Sequence, residues 1–177
     1  PRFIKSLIKR GHESVIEHEK VTVTFITNRG ITHEIVRHRI ASYSQESSRY
    51  CNYKNQFIFI RPFYFNGRAY DLWMQAMINC AKTYEMLLNA GYRPEQARGV
   101  LPNDLKTEIV VTYNLREWRH FFKLRCARAA HPQIRQVAIP TLLEFKERLP
   151  VIFDDITYDE EFPATEYAKV YFKEGLI

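Results

Sequence analysis

From Tyr70 onward, Trp73, Met74, Met77, Ala81, Tyr84 and Leu88 recur at three- and four-residue spacing, which commits a long stretch of this chain to an amphipathic helix closing at Gly91. A second run of the same kind, Ile134, Val137, Ala138, Thr141, Leu142 and Phe145, marks another long helix before Pro150. Shorter runs with period-two alternation stand before and between them. Val21, Val23 and Phe25 predict a strand with one face on a core, as do Ile109, Val111 and Tyr113 within residues 107–113. Residues 56–61 read as a further strand stopped by Pro62, and Asn28-Arg29-Gly30 reads as a turn before residues 31–36, whose pattern allows helix or strand and fits a short helix best. Pro94 suits the first turn of a helix reaching about Leu101. Asn114 is placed to cap the next helix through its side-chain oxygen. Near the start, residues 2–9 have helix-like spacing and Gly11 suits the position just past a helix end. Strands are too few and too irregularly interspersed for a doubly wound sheet. The expected class is therefore α+β, with a mainly antiparallel sheet flanked by helices.

At 177 residues, 46% hydrophobic and 26% charged, the chain is expected to form a single domain over residues 1–177 with a substantial core. Its aromatic content, 14%, is generous enough that some rings are expected to face a ligand or another subunit. A formal net charge of +6 favours an anionic partner: a phosphate, a nucleotide or nucleic acid. No apolar run reaches membrane-span length and no leader pattern opens the chain, which reads as soluble and cytoplasmic. Cys51, Cys80 and Cys126 form no Cys-x-x-Cys pair, so neither a disulfide scaffold nor a thiolate metal site is expected. His12-Glu13 begins like a zinc-protease motif, but the position of its second histidine holds Ile16. No bound metal is expected. His12 and His18 read as structural, and His131 before Pro132 as a turn or cap residue. The acidic stretch over residues 154–161 is expected to be solvated.

The segment from Arg37 to Tyr50, Arg-His-Arg-Ile-Ala-Ser-Tyr-Ser-Gln-Glu-Ser-Ser-Arg-Tyr, concentrates three arginines, a histidine and four serines in fourteen residues. Arginine presents a planar fork matched to phosphate oxygens, and hydroxyls donate to the same group. Each charge-assisted hydrogen bond contributes about 1.5–3 kcal/mol, so several together hold a nucleoside monophosphate. The competing reading is an exposed basic loop with no ligand. Ser47 as a nucleophile requires a base and an orienting group; a serine among arginines reads better as a phosphate donor. Farther along, Trp118, Phe121 and Phe122 define the buried stripe of the helix from Arg116, and Arg125 falls one turn on along that face. An inward arginine is costly without an anionic partner, whether a ligand or a core carboxylate. Cys126 beside it reads as a small buried residue.

Arg37-His38-Arg39 followed by Ser47 resembles the signature of the flavin-dependent thymidylate synthases. Gly11-His12-Glu13-Ser14, Ala97-Arg98-Gly99-Val100-Leu101-Pro102, Asn114-Leu115-Arg116 and Leu124-Arg125 are similar to further segments of that family, in order. The likeness covers the whole chain apart from an N-terminal part that family members have, so the chain is expected to be N-terminally incomplete. The resemblance implies the thymidylate synthase-complementing protein fold and reductive methylation of dUMP to dTMP. FAD would be the cofactor, with NADPH and 5,10-methylenetetrahydrofolate as co-substrates. It implies a homotetramer with sites shared between subunits, acting on a small molecule rather than on nucleic acid or a membrane.

Carried over by position, the resemblance implies that Ser14, Arg37, His38, Arg39, Gln45, Asn114, Leu115, Arg116 and His120 contact FAD. It assigns dUMP to Glu34, Ile35, Val36, Arg37, Gln45, Glu46, Ser47, Ser48, Arg49, Arg98 and Arg125, with Arg125 catalytic against the uracil edge. Ser44, Gln45 and His120 stand where some members have Asn, Glu and Asn, each keeping hydrogen-bonding capacity. The alternative class is a nucleotide- or nucleic-acid-binding protein without catalysis.

Overall fold

Seven α-helices and a three-stranded sheet account for most of the described residues, 2–54 and 56–171, of the computed structural model. The order is α1 (Arg2–Lys9), β1 (Lys20–Asn28), α2 (Arg29–Ile35), β2 (Ala41–Gln45), α3 (Gly67–Asn89), α4 (Pro94–Ala97), β3 (Lys106–Asn114), α5 (Leu115–Arg125), α6 (Pro132–Arg148) and α7 (Pro150–Phe153). The strands are antiparallel in the order β1-β3-β2, which makes this an α+β fold as the alternation predicts. Along β3, Thr107, Ile109, Val111 and Tyr113 are buried while Glu108 and Val110 face outward, the pattern of a strand with one face on a core. None of the described helices is long and apolar enough to cross a membrane.

Four local expectations change. Asn28 is a helix cap rather than a turn residue: its side-chain oxygen accepts from Ile31 N–H at 2.8 Å and α2 starts at Arg29, two residues earlier than expected. Residues 56–61 form one antiparallel bridge, Phe59 with Leu105, because this segment meets the edge of the chain just before β3 rather than a full partner strand. Conversely, β2 lies in a segment of mostly polar residues where hydrophobic alternation left no strand signal. The helix starting at Pro94 ends at Ala97 and passes into a 3-10 turn over Arg98–Val100. The cap at Asn114 is as expected, accepting from Glu117 N–H at 2.8 Å, and His131 caps α6 through its ring nitrogen.

The chain forms two compact units. One comprises Pro1–Thr22, His38–Ser42 and Thr112–Ile177; the other comprises Val23–Arg37 and Tyr43–Val111. The core of the first is aromatic: Trp118, Phe121, Phe122, Phe145 and Phe153 meet at ring-centroid distances of 5.1–5.8 Å. Much of the aromatic excess therefore serves packing, which favours offset and edge-to-face pairs of this kind. The Trp118 indole N–H donates to the Val21 carbonyl, so the largest buried ring leaves no polar atom without a partner. In the second unit, Tyr53, Tyr84, Ala97 and Leu105 form the buried centre, with Phe57 and Phe59 packed on it. Asp104 ties its edges, accepting from Asn28 at 2.9 Å and from the Trp73 indole at 2.8 Å.

The acidic stretch over residues 154–161 is only partly solvated. Ile156 is buried, Asp155 pairs with Arg119, and Asp159 pairs with Arg135. Its carboxylates answer arginines on α5 and α6, a match of charges distant in sequence.

Candidate active site

In the first unit, α5 supplies most of the chemistry. Its cap Asn114 and its residues Arg116, Glu117, His120 and Lys123 line a cavity of about 420 Å³ together with Glu13, Glu17 and Ile40. Spacing of three to four residues puts these α5 side chains along one stripe, while Trp118, Phe121 and Phe122 face the core. The wall carries both charges. Glu13 lies 3.9 Å from Arg116 and 3.8 Å from Lys123, and Glu17 also pairs with Arg116. Arg116 and Lys123 remain half-exposed, so both are accessible to an anion.

Beneath this wall lies His38, 4% exposed. Its Nδ1 is 2.9 Å from Glu117 Oε1, and Arg125 Nε donates to its Nε2 at 3.2 Å. The rings of His120, Phe121 and Tyr113 surround it at centroid distances of 5.3, 5.1 and 6.0 Å. Burial is the largest influence on His38 and pushes its pKa below the ordinary 6.5; the Glu117 hydrogen bond opposes this and the Arg125 charge adds to it. The nitrogens and oxygens of His38, Glu117 and His120 lie within 4.8 Å of one another, a spacing that suits a metal ion. The Arg125 guanidinium on His38 makes this a hydrogen-bonded network instead, since it brings a fixed positive charge to the same ring.

The pKa direction makes a prediction. The folded protein holds fewer protons on His38 than the unfolded chain does, so its stabilisation is complete above 6.5 and is lost as pH falls through the lower folded value. Urea unfolding at pH 7.5 and 5.5 is expected to show lower stability at 5.5, with a smaller difference in His38→Asn. An equal difference in both proteins would assign the acid sensitivity elsewhere.

In the second unit, residues after β2 form a compact polar turn. The Ser47 carbonyl accepts from the N–H groups of Tyr50 and Cys51, and the Ser47 hydroxyl accepts from Arg49 N–H at 3.3 Å. Arg98 Nη1 reaches the buried Ser48 hydroxyl at 3.5 Å. Gln45 is anchored by donating to Thr32 Oγ1 at 2.9 Å, and Glu46 accepts from Tyr53 at 2.9 Å. Arg49 is exposed over the ring of Tyr50. A backbone turn with two hydroxyls and two guanidinium groups at hand is suited to an anion.

The thymidylate synthase complementing protein family matches residues 1–151. The chain belongs to this family. It is similar to the flavin-dependent thymidylate synthase of Geobacter sulfurreducens, 40% identical over 157 residues covering 86% of this chain and 68% of that protein. The enzyme of the same name from Pyrococcus furiosus is 36% identical over 175 residues, 96% of this chain and 68% of that one. That of Pyrococcus abyssi is 40% identical over 144 residues, 78% and 59%.

Against the residues expected from the family resemblance, the structure brings Asn114, Arg116 and His120 together on one cavity and His38 with Arg125 on one contact. Ser14 is exposed on the 3-10 turn Glu13–Ile16, next to Glu13 of the cavity wall. Leu115 is buried at the first turn of α5, and the side chains of Arg37 and Arg39 are exposed. Of the second set, Ser48 and Arg98 meet, while Gln45 and Glu46 spend side-chain groups on Thr32 and Tyr53. Glu34 and Val36 lie at the end of α2 beside Ile35, whose carbonyl accepts from Tyr43 at 2.9 Å.

Sequence reasoning missed Glu117, Glu13, Glu17, Lys123 and Arg119. Glu117 stands three residues after a cap asparagine, where acidic residues serve helix starts, and that ordinary role hid its contact with His38. Burial pushes the Cys126 thiol well up from its ordinary value, against a weaker opposing effect of Lys146. Iodoacetamide is therefore expected to alkylate Cys126 at least about tenfold more slowly than half-buried Cys51 and Cys80 in the folded protein, read by peptide mass spectrometry. Comparable rates would show that the helix opens readily.

Proposed function

We propose that this chain synthesises thymidylate, converting dUMP to dTMP with bound FAD, 5,10-methylenetetrahydrofolate as carbon donor and NADPH as reductant. Support comes above all from the grouping of Asn114, Arg116 and His120 on one cavity, with Arg125 farther along the same helix in contact with His38, in a member of this family. The cavity fits the polar part of a dinucleotide, because half-exposed Arg116 and Lys123 offer cationic donors there. Ser14, Arg37, His38, Arg39, Gln45, Asn114, Leu115, Arg116 and His120 would hold the flavin. When bound, the flavin supplies the hydride that completes the methyl group.

Ser47, Ser48, Arg49 and Arg98 would hold the phosphate of dUMP, and Glu34, Ile35, Val36, Arg37, Gln45 and Glu46 its remaining polar groups. Arg125 would lie at the uracil edge. A fixed guanidinium there favours the N3 anion and so enriches electron density at C5, the carbon that takes the new bond. The neutral His38 ring limits the freedom of Arg125 by accepting from Nε. The sites would be completed in a cytoplasmic homotetramer by more than one copy of the chain.

A purified flavoenzyme is yellow, and its reduced flavin should be oxidised under anaerobic conditions only when dUMP and methylenetetrahydrofolate are both supplied. A colourless protein whose nucleic-acid affinity falls steeply with salt would instead favour a non-catalytic binder.

A further inference from the structure

Arginine has N–H donors and no acceptor. The Arg125 Nε contact with His38 Nε2 at 3.2 Å therefore requires that Nε2 present its lone pair, which leaves the ring proton of a neutral His38 on Nδ1. That nitrogen faces Glu117 Oε1 at 2.9 Å, an acceptor held in place because the Glu117 N–H is itself bound by the Asn114 cap. Glu117 and Arg125 stand eight residues apart on α5, about 12 Å along its axis at 1.5 Å per residue. His38 spans them. A run of hydrogen bonds thus leads from the helix cap through Glu117 and His38 to the guanidinium.

We propose that Glu117 is a positioning residue: by holding the His38 proton on Nδ1 it directs the Nε2 lone pair at Arg125 and sets the orientation of that guanidinium. With the proton on Nε2, the ring would present a donor to a donor, and Arg125 would turn away. His38 and Glu117 are buried and Arg125 is half-buried, which limits how readily water takes over the missing acceptor. Orienting partners of this kind commonly matter as much to a site as the residues that touch the ligand.

The first test is independent of activity. Long-range 15N–1H NMR of histidine-labelled full chain at pH 7.5, with His38 assigned by the signals missing in His38→Asn, is expected to show a neutral ring protonated on Nδ1. Glu117→Gln should preserve that state, since its amide oxygen still accepts, and Glu117→Leu should lose it. Finding wild-type His38 protonated on Nε2, or doubly protonated, overturns the proposal, and this reading needs no variant to fold. The kinetic arm rests on the synthase reading. There, Glu117→Leu is expected to lose about tenfold or more in kcat/KM for dUMP per bound flavin, and Glu117→Gln to recover most of that loss. Equal losses in both variants overturn the positioning role. Should wild-type reduced flavin fail to be oxidised by dUMP and methylenetetrahydrofolate together, the synthase reading falls while the tautomer result still decides this proposal.

Discussion

Replacing Arg119 by methionine is expected to destabilise the protein by about 3 kcal/mol, lowering its melting temperature by roughly 6–12 °C for a chain of this size. Arg119 is 1% exposed, yet its fork is filled: Nη1 and Nη2 donate to the two Asp155 oxygens at 2.6 and 2.7 Å, Nε donates to Glu13 at 3.0 Å, and Nη1 also meets the Ile152 carbonyl. Methionine fills much of the volume but leaves that carbonyl and two carboxylates without their donor. The loss stays at the low end for a broken buried pair because the Asp155 side chain is 56% exposed and water can replace one partner there. For the same reason Asp155→Asn should cost only about 1 kcal/mol. Differential scanning calorimetry of both variants checks the pair of values, and a fall of less than about 2 °C for Arg119→Met would show that the network is not structural.

Arg125→Ala is expected to reduce dTMP formation by about 10²–10³-fold, the usual scale for losing one preorganised electrostatic donor. Flavin content should fall far less. The asymmetry follows from geometry: the cavity is lined by Asn114, Arg116, His120 and Lys123, not by Arg125, whose contact is with buried His38 at 3.2 Å. Measuring flavin absorbance per chain beside single-turnover oxidation of the reduced flavin with dUMP and methylenetetrahydrofolate separates the two effects. Equal losses of flavin and turnover would give Arg125 a structural role. Arg125 also sits in the last turn of α5, where a positive charge favours the helix, so a small loss of stability accompanies the change.

Where local spacing carried the information, reading the chain was enough. The periodicity from Tyr70 to Leu88 matches α3, the alternation through Tyr113 matches β3, and Asn114 caps α5 as its side chain suggests. The half-buried placement of Arg125 against His38 was legible in part for the same reason, since it shares the helical stripe of Trp118, Phe121 and Phe122. Readings failed where an outcome depends on a partner distant in the chain. β2 has too few apolar residues to announce itself and exists because β3 offers it a ladder. Residues 56–61 look more like a strand and form a single bridge.

Arg119 is the sharpest case. Beside Trp118 on α5 it reads as one more surface arginine, and only the approach of Glu13 and Asp155 makes its burial tolerable. Glu117 likewise has a local reason to be at a helix start, and its bond to His38 spans 79 positions of sequence.

By itself, then, the order of residues determined the long helices, the central strand, the family motifs and the set of arginines from which an anion site is made, because each depends on neighbours within a turn or two. Tertiary structure decided which charges are buried, which tautomer His38 must hold and which of the polar residues meet. Those outcomes depend on desolvation and on hydrogen-bond partners brought from far along the chain, and neither is encoded at the position it governs.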